Sequence, residues 1–201
     1  MENYYQNLSK EFKVSSFNPN LHKSHEIEIP ARIFLVGSSG VGKSNCVLNL
    51  IKVLSRPKPT LAHIYLFCKN KNEPLYNYLE SKLKDNITIQ EDGNIIPLSE
   101  MEKDGEQLVI FDDLVNDKNA TKEVIEYYKM SRKKNISCVY LSQSYYKTDK
   151  FIRSNCSGLI IKKVNSKRDL SLILSEYPID IDIDTLKKIY NQCTAKFEDI
   201  M

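Results

Sequence analysis

The chain has 201 residues, 41% hydrophobic and 27% charged, a composition that fits one folded domain and excludes an intrinsically disordered protein. Its net charge of +3, from 29 basic and 26 acidic residues, neither demands nor excludes a nucleic-acid partner. No run approaches 18 consecutive apolar residues, which excludes a membrane-spanning helix; the polar start MENYYQNLSKEFK has no apolar signal core, so the chain is expected not to be secreted.

Residues 1–26 are polar and lack periodicity, which suggests an extension on the domain or toward a neighbour. The apolar run 31–36, ending at Gly37, predicts a buried central strand, and Val47, Leu48, Ile51 and Leu54 predict a helix over 44–54. Residues 63–68 predict the second strand. A helix over 73–83 follows, with Leu75, Tyr78, Leu79 and Leu83 on one face, and then a short segment, 87–89, compatible with a strand. Residues 107–111 form the third strong strand, and the helix over 122–132 ends in the basic run Arg132-Lys133-Lys134, which suits the negative end of its dipole. The fourth strand spans 137–141. A short helix over 147–153, a fifth strand over 158–164 and helices over 167–176 and 185–192, the last capped by Asp184, complete the chain. Strands alternating with helices imply an α/β fold with a mainly parallel sheet covered on both faces. The whole of 1–201 is expected to be one domain: extension 1–26, core 27–165 and C-terminal helices 166–201.

Gly37-Ser38-Ser39-Gly40-Val41-Gly42-Lys43-Ser44 fits G-x-x-x-x-G-K-[ST], with a strand before it and a helix after it. Glycines let successive backbone N–H groups turn toward an anion, and the helix that follows adds its positive end. This loop, through Asn45, is expected to bind a nucleoside triphosphate, with Lys43 on the β- and γ-phosphates and the Ser44 hydroxyl on Mg²⁺.

Asp112 and Asp113 close an apolar strand at the sheet edge where α/β proteins bind ligands. Asp112 is expected to hold Mg²⁺, and Asp113 to act as general base on the attacking water. The D-x-x-G and N-K-x-D signatures of GTPases are absent, and five arginines leave little room for a kinase lid. Gln143 ends the fourth strand; if that strand lies between the phosphate-loop and acidic strands, its amide faces the γ-phosphate and orients water. Of Arg32, Arg56, Arg132, Arg153 and Arg168, Arg153 is favoured over Arg132 as a group reaching a neighbour's site.

Ile33–Asn45 with Leu48–Ile51, Val109–Leu114, and Ser131–Ser144 continuing through Lys150–Asn155 together resemble the poxvirus-type genome-packaging ATPases of the FtsK–HerA superfamily. The resemblance covers about residues 27–165 and implies a RecA-like P-loop NTPase with a five-stranded core of order 5-1-4-3-2. It implies ATP and Mg²⁺ as ligands, a homo-oligomeric ring (pentamer or hexamer), and ATP-driven movement of double-stranded DNA into a capsid. Capsid or inner-membrane virion proteins follow as partners, and the virion or host cytoplasm as location. Gln143 maps to the family's sensor glutamine and Asp113 to its catalytic acid, often Glu in relatives. A plasmid-type DNA translocase or helicase and a slow nucleotide switch for assembly are the alternatives.

The basic clusters 132–134, 147–150, 162–163 and 167–168 are each compatible with an ordinary solvated face or with a DNA-lining role. The five cysteines and three histidines form no zinc pattern, and Thr185 and Asn191 stand where a calcium loop beginning at Asp180 needs Gly and Glu.

Overall fold

The protein was analysed as a computed structural model, which describes residues 25–55, 61–101, 105–177, 180–196 and 200–201. Most of the N-terminal extension, and Arg56, lie outside the described residues. In chain order the elements are β1 (Arg32–Val36), α1 (Lys43–Leu54), β2 (Leu61–Cys68), α2 (Pro74–Leu83), β3 (Ile87–Gln90), β4 (Glu106–Asp112), α3 (Lys118–Met130), β5 (Ile136–Ser142), α4 (Lys150–Ser154), β6 (Gly158–Ile161), α5 (Lys167–Glu176) and α6 (Ile183–Cys193).

The strands pair in the order β3-β2-β4-β5-β1-β6, every pair parallel. This is the expected 5-1-4-3-2 arrangement with one strand added: residues 87–90 pair with β2 as a sixth strand at the edge. The placement of β5 between β1 and β4 matters most, because it sets the phosphate loop, the acidic pair and Gln143 on neighbouring strand ends.

Successive side chains of a strand point to opposite faces, and here the two faces differ in kind. Ile33, Leu35, Leu66, Leu108, Ile110, Val139 and Leu141 make an aliphatic face, covered by Val47, Leu50, Ile51 and Leu54 of α1 and by Tyr76 and Leu79 of α2. Phe34, Phe67, Phe111 and Tyr140 make an aromatic face, packed with Tyr127 and Tyr128 of α3 and with Tyr145. Phe111 meets Phe67 at 5.7 Å in a stack and Tyr127 at 5.2 Å edge-on, the geometries that ring quadrupoles favour. Both faces are buried, which explains why the central strands read as continuous apolar runs rather than as alternations.

Local capping shifts several helix starts. α3 begins four residues before the expected 122, because the Asp117 carboxylate accepts the Asn119 and Ala120 N–H groups at 2.9 Å. α6 is capped by Asp182 rather than Asp184, accepting from Asp184 N and Thr185 N. The helix expected from 147 starts at Lys150, capped by Asp149, which accepts from Phe151 N at 2.7 Å. In α2 the buried face is Tyr76 and Leu79, while Tyr78 is exposed; the face lies one residue round from the expected one.

Candidate nucleotide site

β1 ends at Val36, and the chain turns at once into the loop 37–42. Gly37 is required by close approach: a Cβ there would stand 2.6 Å from Lys162 Cβ and 2.7 Å from Val41 Cγ2. Gly42 is required by its dihedral, φ 81°, in the left-handed region that side chains resist. It precedes α1 with no side chain capping the helix, so the first N–H groups of α1 are presented toward the loop. Lys43 Nζ donates to the carbonyls of Gly37 (2.9 Å) and Ser38 (3.0 Å), folding the ammonium over the loop.

The loop faces a cleft of about 370 Å³ lined by Ser39, Gly40, Gly42, Lys43, Ser44, Asn45, Glu73, Leu75, Asp112, Asp113 and Gln143. That volume lies in the range of small-ligand sites. Gly37, Ser38 and Val41 stand behind the cleft. There the Ser38 N–H donates to Lys163 O at 2.9 Å, and Ser38 Oγ accepts from Asn165 N at 2.8 Å. These bonds brace the loop against the segment after β6.

Across the cleft, Asp112 ends β4 and accepts a 2.6 Å hydrogen bond from the Tyr76 phenol at Oδ2. Burial pushes the Asp112 carboxyl up to about 6; Glu73 and Asp113 add to the rise, while the Tyr76 bond and Lys43 oppose it. Burial likewise raises the Tyr76 phenol, with the Asp112 charge adding to it, and burial lowers Lys43 against the pull of the nearby acids. Asp113 adopts φ 54°, a left-handed conformation that Asp and Asn tolerate better than most residues, and its N–H extends the β4–β5 pairing to Leu141 O at 3.3 Å. Its Oδ2 accepts from Gln143 Nε2 at 3.0 Å. The two residues singled out for water chemistry are therefore in direct contact.

Glu73, Asp112 and Asp113 line the cleft with Lys43. Among the described residues no three acids are grouped to hold a metal ion by themselves, but the Ser44 hydroxyl and Asp112 offer an oxygen donor set to one that brings its own phosphate ligands. Hard divalent cations prefer such sets, so the residues present fit one. In metal-free protein the raised carboxyl has a consequence for stability. The folded state holds the Asp112 proton more tightly than the unfolded chain, so ionisation opposes folding, increasingly from pH 3.8 to about 6 and fully above that. Asp112→Asn keeps an acceptor for Tyr76 and should stabilise the metal-free protein at pH 8 by about 2–3 kcal/mol. The gain should vanish near pH 4. Urea unfolding in chelator at both pH values measures it, and an equal gain at both would exclude this origin.

None of the described arginines lines the cleft. Arg153, expected to reach into a neighbour's site, is instead held inside its own protomer. Only 8% exposed, it pairs with Glu176 of α5 at 2.5 Å, donates from Nε to Thr148 O at 3.1 Å and lies over the Tyr145 ring. The physical reason is that one-turn α4 buries its Ile152–Arg153 side, where the guanidinium needs a partner acid. Arg132 is exposed and paired with Glu28 at 3.3 Å, just before β5 starts, at the sheet edge opposite the cleft. Tyr76 and Glu73 are the residues that the sequence did not reveal. Neither belongs to a motif, and only the β2–β4 pairing carries the start of α2 to Asp112.

A parallel sheet with a glycine-rich loop between β1 and α1, and an acidic pair two strands away, defines a P-loop nucleotide-binding ATPase. The particular family follows from sequence: the model described as poxvirus A32 protein matches residues 19–196, and the chain belongs to that family. No curated protein matches the chain in sequence. Among solved structures, the DNA-packaging ATPase B204 of Sulfolobus turreted icosahedral virus superposes with TM-score 0.55 at 15% identity, covering 80% of this chain and 87% of that one. B204 of Sulfolobus turreted icosahedral virus 2, in complex with AMPPCP, gives 0.57 at 16%, covering 80% and 86%. EssC, ATPases 2 and 3 from Geobacillus thermodenitrificans, gives 0.58 at 14% and covers 77% of this chain; the chain spans about a third (36%) of that one. These likenesses establish the fold. As a member of this family with an intact phosphate loop the chain is a nucleotide-binding ATPase, and no helix among its described residues is long and apolar enough to cross a membrane.

Proposed function

We propose that the protein is an ATP-driven motor that moves double-stranded DNA into a viral capsid, working as a homo-oligomeric ring in the virion or the host cytoplasm. The observation that carries the hydrolytic part is the 3.0 Å contact between Gln143 and Asp113 at the mouth of the phosphate loop. A neutral amide bonded to a carboxylate, facing the cleft that holds Lys43, can orient a water that the carboxylate deprotonates. Support for DNA as cargo comes from family membership and from the DNA-packaging role of B204, because a fold alone does not choose cargo.

In this reading the loop N–H groups and Lys43 bind and orient the ATP phosphates. Ser44 and Asp112 would hold Mg²⁺, which when bound neutralises charge on the β- and γ-phosphates. Tyr76 fixes one Asp112 oxygen and leaves the other free of that bond. Asp113 takes the proton of the attacking water, and Gln143 holds both in line. Residues 27–165 carry this motor core, and α5 braces it through Asp169 and Glu176.

ATP hydrolysis measured with and without long double-stranded DNA, over a range of protein concentrations, tests the reading. Turnover per protomer should rise with both DNA and concentration, since a ring completes its sites and its track together. Tight ATP binding without stimulation, where sedimentation shows the ring assembled, would instead favour a nucleotide switch.

A further inference from the structure

Two loops leave the nucleotide site and meet on the surface. One runs from Gln143, which touches Asp113, through Ser144 and Tyr145 to Tyr146. The other runs from β6 through Lys163 and Asn165, both bonded to Ser38 of the phosphate loop, to Arg168. They are tied by Asp169, itself buried, whose Oδ1 accepts from Tyr146 N at 2.7 Å and from Ser144 Oγ at 3.1 Å. At the junction the guanidinium of exposed Arg168 lies over the ring of exposed Tyr146, its Cζ 3.3 Å from the centroid.

Lys147 and Lys167 flank this pair in the chain, and both are exposed. In residues 143–150 and 162–168 the one acid is Asp149, whose carboxylate caps α4. This concentration of positive charge differs from the run 132–134 at the opposite sheet edge, where Arg132 is paired with Glu28 and Lys134 donates to Leu98 O. An aromatic ring that pre-orients a planar guanidinium, with ammonium groups beside it, suits a repeating phosphate backbone better than a single anion. Its sequence-blind character suits a track that must slide.

We propose that the Tyr146–Arg168 pair, with Lys147 and Lys167, is the surface that grips the DNA phosphate backbone, and that its two loops tie the grip to Gln143 and the phosphate loop. The proposal rests on the DNA-motor reading and adds the residues that carry the contact. A change at the γ-phosphate that moves Gln143 or Ser38 is passed along short, hydrogen-bonded segments to the same two side chains. Coupling of this kind needs no further domain.

The test is binding of a labelled double-stranded DNA to the full chain with ATPγS, measured by fluorescence anisotropy across a salt series. Wild type, Arg168→Ala, Arg168→Lys and Tyr146→Ala are compared, each checked for an unchanged thermal transition. Arg168→Ala should weaken binding several-fold, and lower the slope of log affinity on log salt by about 1 for each engaged protomer. Arg168→Lys should keep most of the slope, and Tyr146→Ala should weaken binding through loss of orientation. Unchanged affinity and slope in Arg168→Ala would overturn the proposal while leaving the motor reading intact. Retained DNA binding with lost ATP hydrolysis would also overturn it, and would assign Arg168 to a neighbour's nucleotide instead. If wild type binds no DNA in any nucleotide state, the motor reading itself fails.

Discussion

Replacing Lys43 by alanine is expected to lower ATP hydrolysis by about 10²–10³-fold or more, with loss of nucleotide affinity as well. The ammonium rests between the Gly37 and Ser38 carbonyls, within the field of Asp112, Asp113 and Glu73. It is the only cation lining the cleft among the described residues. Without it the γ-phosphate would meet three carboxylates with a single positive group missing, and the charge that develops in transfer would be unbalanced. The helix should stay intact, since the Lys43 side chain caps nothing in α1 and alanine favours helices. Steady-state hydrolysis together with binding of a fluorescent ATP analogue measures both effects. A variant within threefold of wild type in kcat/KM would remove Lys43 from the mechanism.

The second large effect concerns the other side of the cleft. Asp113→Asn should cut kcat by about 10²–10⁴-fold while leaving ATP affinity close to that of wild type. Asparagine tolerates the same left-handed backbone at φ 54°, so the strand end need not move. What changes is proton acceptance, and the loss should therefore fall on kcat and not on binding. Gln143→Ala should do less, because it removes an orienting contact and leaves the base. If Asp113→Asn and Gln143→Ala reduce kcat equally and their double variant reduces it no further, the pair acts as one unit across the 3.0 Å bond. Unimpaired hydrolysis in Asp113→Asn would transfer the base role elsewhere in the cleft.

Much of this architecture was legible in the residues themselves. The phosphate loop announces itself because three of the six glycines fall within six positions, directly between an apolar run and a helical period. The strands from 31, 63, 107 and 137 stand out because a parallel sheet buried on both faces makes each central strand an uninterrupted apolar run. The edge strand 87–90 is weaker in sequence for the matching reason: its partly buried residues answer to one neighbour only.

The sequence by itself determined the class of chemistry, since backbone conformation around glycines, a lysine and paired acids are local properties that spacing preserves. Only the tertiary structure decided which side chains share the cleft. Tyr76 reaches Asp112 because β2 and β4 pair in register, a relation between residues 36 positions apart that no local pattern records. The same holds for Arg153 and Arg168. Both are basic residues beside a strand, yet packing against Glu176 and Tyr145 buries one, while the turn at Tyr146 leaves the other on the surface. Charge and residue type are written in the chain, but burial is set by what the fold brings alongside.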